Sequence, residues 1–203
     1  MQIVLATRNK GKIRELERIF AEELPEVHLL GTDSFPDLAD VEETADSFEG
    51  NALLKAKAVS DFTHLPAIAD DSGLAVDHLA GAPGIYSARY SGIHGDDEAN
   101  LQKVLREMEG VSNRRAQFVC AAAFAAPNGY THVLRAQMEG ALITEPRGEN
   151  GFGYDPIFVP SGYSETTGEM APELKDSISH RGKAMRALAH LISQEQEKWR
   201  DEI

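Results

Sequence analysis

The sequence predicts an α/β protein built on a mixed β-sheet. Three observations carry that reading. Short, continuous apolar runs alternate with helix-period patterns through the first half of the chain. Two long strand-like runs, 116–126 and 131–144, flank the turn "PNGY" later on. Strand–helix alternation followed by a hairpin calls for parallel and antiparallel pairing in one sheet.

The elements follow in order. Ile3–Ala6 is a buried strand, and Thr7–Lys12 a polar connection. Asn9 caps a helix that places Ile13, Leu16, Ile19 and Phe20 on one stripe. Residues 27–30 form a second strand. Residues 31–44 are a loop, with Pro36 and four acids between Asp37 and Glu43. Asp46 and Glu49 have capping-box spacing and introduce a helix to about Phe62, with Phe48, Ala52, Ala56 and Val59 on one face. Ala67–Ala69 is a third strand, and "GLAVD" reads as an extended return after it. "LAGAPGIYSARYSGIHGDD" is a long punctuated connection of the kind that carries function. Asp96 or Asp97 starts a helix carrying Leu101, Val104, Leu105 and Met108, and Gly110 stops it. After the hairpin and a glycine-rich loop, Ser179 caps a last helix using Met185, Leu188, Ala189, Leu191 and Ile192. A polar tail from about 194 is expected to fray. The chain reads as one domain.

The 203 residues carry a formal charge of −13, which argues against a protein that grips polymeric nucleic acid. An acidic protein still takes a small polyanion if a few cations, or a metal, are gathered in one place. A lone cysteine, Cys120, excludes an intramolecular disulfide and reads as a buried thiol. No signal segment or membrane-length apolar run is apparent, and a cytoplasmic protein is expected.

Five polar clusters stand out. "TRNKGK" (Thr7, Arg8, Asn9, Lys10, Gly11, Lys12) lies between a strand and a helix N-terminus, where backbone N–H groups and lysines favour an anion. It lacks P-loop spacing, and alone it describes a capped helix with solvated lysines better than an anion site. In the second, Asn51 and Lys55 share a helix face behind Glu42 and Glu43. In the third, Asp70 and Asp71 end an apolar run, and strand alternation sends them to opposite sides, so they cannot both serve one pocket. A carboxylate at a strand end is placed to hold Mg²⁺ or to deprotonate a water. In "GFGYDPIF", Phe152 and Tyr154 offer flat faces and Asp155 offers two acceptors. The fifth, "LKDSISHRGKA", places His180 and Arg181 in a first helical turn, where cations oppose the dipole and need a partner outside the helix. Lys175 and Arg181 could grip a base carbonyl or a phosphate.

Together, "TRNKGK", "EET…FEGNALLKA", "ADDSGLAVDHLAGAPGIYSARYSG", "GFGYDPIF" and "SHRGKA" resemble, in order and spacing, the inosine triphosphate pyrophosphatase family of non-standard purine nucleoside triphosphate pyrophosphatases, its bacterial dITP/XTP branch above all. The likeness runs from about Ile3 to about Ile192. It implies Mg²⁺-dependent hydrolysis of ITP, dITP and XTP to the monophosphate and pyrophosphate. It also implies a homodimer and an elongated mixed sheet with flanking helices, its two lobes enclosing a central active-site cleft. By position it makes Asp71 the general base and a metal ligand, and Glu42 the second metal carboxylate. Thr7 to Lys12 become the phosphate loop. Ser72, Phe152, Gly153, Tyr154, Asp155, Lys175, His180 and Arg181 become substrate contacts, with Asn51 and Lys55 as further phosphate contacts. Arg8 stands where many members have glycine, and Pro172 just ahead of Lys175 is a second departure.

On this reading the lysines and metal offset the triphosphate charge, and Asp71 activates water. Arg181, or backbone N–H groups of 152–155, donates to the C6 oxygen that adenine lacks. The rivals are a regulator that binds a purine triphosphate without cleaving it, and a related pyrophosphatase of pyrimidine or modified nucleotides.

Overall fold

A computed structural model describes residues 1–199. Its strands are β1 (Gln2–Leu5), β2 (His28–Gly31), β3 (Ala67–Val76), β4 (Arg115–Ala125), β5 (Thr131–Leu142) and β6 (Phe158–Pro160). Its helices are α1 (Lys10–Glu23), α2 (Phe48–Thr63), α3 (Asp97–Glu107), α4 (Pro172–Ile178), α5 (His180–Gln194) and α6 (Gln196–Trp199). The six strands form one sheet in the order β2-β1-β3-β4-β5-β6. β1 pairs in parallel with β2 and β3, whereas β5 and β6 pair antiparallel, so the sheet is mixed as the sequence predicts.

The chain divides into two compact units. The first comprises Met1–Asp71, Cys120–Ala136 and Arg181 onward, and the second Ser72–Val119 and Gln137–His180. β3, β4 and β5 each pass from one unit into the other along the chain. The first unit buries Leu16, Ile19 and Phe20 of α1, Ile3 and Leu5 of β1, Phe124 of β4, and Met185, Leu188 and Ile192 of α5 in one core. The second buries Leu101, Val104 and Met108 of α3 with Phe118, Tyr154, Ile157 and Phe158. Both cores use the stripes the sequence marks, because a 3.6-residue period places those side chains on one face. Among the described residues no helix is long and apolar enough to cross a membrane.

Three local expectations are corrected, and the departure at Pro172 is accommodated. The cap of α2 is Ser47, which accepts from the Gly50 N–H, and not the Asp46–Glu49 box: one residue of register separates two acceptable caps. β3 does not end at Ala69. It runs unbroken through both aspartates and "GLAVD", because each carboxylate finds charged or amide partners that let it stay in a buried strand. Pro172 starts α4 at the first helical position, where its missing N–H is harmless. The tail does not fray at 194. Trp199 is buried, meets Phe124 edge-on at 5.2 Å between ring centroids, and donates its indole N–H to the Ile192 carbonyl. Residues 200–203 of that expected tail lie outside the described residues. Trp199→Ala is expected to lower the free energy of unfolding by about 3–5 kcal/mol, read by circular dichroism in a urea titration; an unchanged midpoint would count against this packing.

Candidate active site

The first unit assembles a charged cluster around β3. β1 delivers the chain to Thr7, whose hydroxyl accepts from the Asn9 N–H at 3.2 Å. Asn9 caps α1 by accepting from the Lys12 N–H at 3.0 Å, as its sequence position predicts. The first turn of α1 contains no acid, so its N-terminal amides keep their attraction for an anion. Lys10 is exposed and Lys12 is half-buried beside Gly11. Arg8 departs from the loop's expected role: its guanidinium pairs with Asp40 and donates to the Leu38 carbonyl at 2.9 Å.

The adjacent aspartates separate as strand alternation requires. Asp70 is buried, with Lys12 Nζ 2.9 Å and Arg181 Nε 3.2 Å from its Oδ2. Burial alone would raise its pKa, but Lys12, Arg181 and Lys55 outweigh burial and hold the carboxyl well below the usual range. Asp71 has a different environment. Asn51, fully buried on α2, donates to its Oδ2 at 3.1 Å, and Lys55 Nζ lies 3.9 Å from its Oδ1. Burial, assisted by nearby Glu43, raises the Asp71 pKa despite Lys55, Lys12 and Asn51. Two neighbouring residues of one type thus have pKa values displaced in opposite directions, a pattern that separates structural from reactive carboxylates.

Asn51 also accepts from the Ala45 N–H at 2.9 Å, fixing the segment ahead of α2 to the same amide that orients Asp71. In that segment it is Glu43 whose carboxylate accepts from Lys55 at 2.7 Å. Glu42, one residue earlier, is exposed. Burial by itself would depress the Lys55 pKa; Asp70, Asp71 and Glu43 reverse the sign and raise it.

Arg181 is almost completely buried, with its Nη1 on Glu15 and its Nε on Asp70. The dipole-opposing cation in the first turn of α5 therefore has the external partner its position called for. That partner is a pair of carboxylates, so the expectation of a guanidinium turned to a base carbonyl is corrected for these two donors. Glu15 escaped the sequence reading although it lies beside Leu16 on the apolar stripe of α1, where a buried acid needs a cation.

The second unit holds the glycine-rich loop. Asp155 is buried, and its acceptors face inward. Oδ2 accepts from the Phe152 N–H at 2.8 Å and from Lys175 Nζ at 2.6 Å, and Oδ1 from the Thr167 hydroxyl at 2.9 Å. A Cβ on Gly151 would lie 2.0 Å from Asp155 Oδ2, so only glycine permits this closure. Tyr154 likewise turns inward: its ring joins the core and its hydroxyl donates to the Ser87 carbonyl at 2.8 Å. These contacts correct two expectations, that Asp155 offers free acceptors and that Tyr154 offers a flat face. Phe152 remains partly exposed, with Lys175 Nζ 5.0 Å from its ring centroid. His180 is buried and stacks on Phe118 at 4.8 Å, and Ser72 is half-buried in β3. Cys120 is fully buried, and burial pushes its thiol up to about 12, as an inert core cysteine requires.

The model of the Ham1 family matches residues 3–191. The chain is 51% identical over 193 residues to a dITP/XTP pyrophosphatase of Streptomyces avermitilis, covering 94% of this chain and 96% of that one. It is 47% identical to the dITP/XTP pyrophosphatase of Geobacter sulfurreducens, covering 92% and 94%. Among solved structures, the Staphylococcus aureus Ham1 protein superposes with a TM-score of 0.85 at 42% identity, covering 96% of this chain and all of that one. With agreement over nearly its whole length in sequence and fold, the chain belongs to the Ham1 family.

Proposed function

We infer that this protein hydrolyses non-standard purine nucleoside triphosphates (dITP, ITP and XTP) at the α–β phosphoanhydride, releasing the monophosphate and pyrophosphate. One observation carries the reading: a buried, amide-oriented carboxylate of raised pKa, Asp71, stands beside Lys55 in a chain half-identical to a dITP/XTP pyrophosphatase. Asp71 takes a proton from the attacking water, and its raised pKa makes it a stronger base than an ordinary aspartate. Asn51 keeps the carboxylate aimed. Lys12, Lys10 and the amides at the start of α1 hold phosphate oxygens, with Thr7, Asn9 and Gly11 shaping the turn. Lys55 adds positive charge where the leaving pyrophosphate gathers negative charge.

Asp71, a hard oxygen donor held in place by the Asn51 amide, suits Mg²⁺. Among the described residues no cluster of three metal-type ligands occurs, and a magnesium ion on a triphosphate needs only one or two protein carboxylates, the phosphates and water supplying the rest. Asp71 and Glu42 would hold it. When bound, it supplies charge neutralisation on the phosphates and polarises the phosphorus under attack.

The second unit carries groups suited to a purine base. Phe152 supplies the ring face, and Lys175, fixed by Asp155, supplies the donor that suits an acceptor oxygen at C6. Asp155, Tyr154 and His180 shape this region from beneath. Arg181 and Asp70 secure Lys12. A homodimer in the cytoplasm completes the reading.

The test is a panel of dITP, XTP, dATP, dGTP and dTTP with Mg²⁺, assayed for pyrophosphate. Release from dITP and XTP well above the others is expected. Binding of dITP without release, or a preference for pyrimidines, would overturn the proposal.

A further inference from the structure

The loop proposed to read the base is fastened at three places within the second unit. Asp155 closes it from inside, and Tyr154 ties it to Ser87. The third fastening comes from outside the loop: the Gly153 N–H donates to Asp97 Oδ2 at 2.9 Å. Asp97 is the first residue of α3, yet the cap of that helix is its neighbour Asp96, which accepts from the Ala99 N–H at 2.9 Å. The Asp97 carboxylate is therefore not needed as the cap, and it serves the loop instead.

The helix behind Asp97 is firmly seated. Leu101, Val104 and Met108 lie in the core. Asn100 is buried, accepting from the Ser91 N–H at 2.7 Å and donating to the Ala88 carbonyl at 3.2 Å. A rigid helix thus presents a charged acceptor to the residue that follows Phe152. Gly153 has φ +62, a conformation a glycine leaves readily, so a charge-assisted bond at its N–H fixes a peptide plane that would otherwise swing. That plane sets the direction of Phe152, the loop's partly exposed aromatic ring, relative to Lys175.

We propose that Asp97 is a positioning residue for purine recognition: by holding the Gly153 N–H it keeps Phe152 in place for the base. This rests on the functional reading above. It predicts an effect on base binding and base choice, with the hydrolytic groups of the first unit untouched.

The experiment compares wild type, Asp97→Ala and Asp97→Asn. With Asp97→Ala, KM for dITP should rise about ten-fold, the size expected for one hydrogen bond to a charged group. Its kcat should stay within about two-fold, and the dITP/dATP ratio of kcat/KM should fall. Asp97→Asn keeps an acceptor oxygen and should recover most of the KM. Amide exchange at Gly153 should quicken in the alanine variant, independently of any activity. An unchanged KM and base ratio in Asp97→Ala, or a loss confined to kcat, would overturn the role while leaving the functional reading intact. A wild-type enzyme that releases no pyrophosphate from dITP would overturn the functional reading itself.

Discussion

Asp71→Asn is expected to lower kcat for dITP by about 10²–10⁴-fold while leaving the protein folded and no less stable. The substitution removes the proton acceptor and keeps the shape; an asparagine can still present an oxygen to the Asn51 amide. The stability half of the expectation follows from the direction of the pKa shift. The folded-state value lies above the ordinary 3.8, so between the two values the native state holds the proton more tightly than the unfolded chain. Through that window stability falls as pH rises, and the ionised carboxylate is a net liability at neutral pH. Removing the charge removes the liability. Full activity in the variant, measured as pyrophosphate released per enzyme at saturating dITP, would remove Asp71 from the chemistry.

Asp70→Asn should behave in the opposite way. Its carboxylate lies between Lys12 and Arg181 in a buried setting, and removing it leaves two cations short of a counter-charge. Breaking such a pair by deleting one partner destabilises by about 3–5 kcal/mol. The folded pKa is depressed, so this contribution is complete above the unfolded value, near 3.8, and is lost as pH falls from there toward the folded value. Urea midpoints should therefore differ strongly between wild type and variant at pH 7 and converge in acid. Equal midpoints at pH 7 would show that the pair adds nothing. Some loss of activity should accompany the change, through a less fixed Lys12 and as a raised KM. Side by side, the two aspartates separate chemistry from stability: one variant is slow and stable, the other weakly folded.

Much of this arrangement is legible in the sequence, because the governing rules are local. Alternation along a strand separates Asp70 from Asp71 without any structure. The Asn9 cap, the apolar stripes of α1, α2 and α3, and the β4–β5 hairpin are each specified within a few residues. What escapes is the identity of partners distant in sequence. Nothing near Arg181 announces Glu15, and nothing in "GFGYDPIF" shows that Asp155 closes on Phe152, Thr167 and Lys175 instead of facing a ligand. The choice between Glu42 and Glu43 as the partner of Lys55 turns on one residue of register in an irregular segment, where no periodicity operates. Trp199 reads as part of a polar tail because its neighbours are charged, yet its ring is buried against Phe124 and helps to dock the segment.

The division of the chain has a consequence for its synthesis. Every residue of the second unit lies between Ser72 and His180, whereas the first unit is written in three separated pieces, the last starting at Arg181. A chain still on the ribosome with His180 just added already holds the whole sequence of the second unit. The first unit, begun earlier, still lacks Met185, Leu188 and Ile192 from its core, and Asp70 lacks the guanidinium 111 positions downstream. The first unit is thus the last that can finish folding, and its buried Asp70 and Glu15 both wait for Arg181.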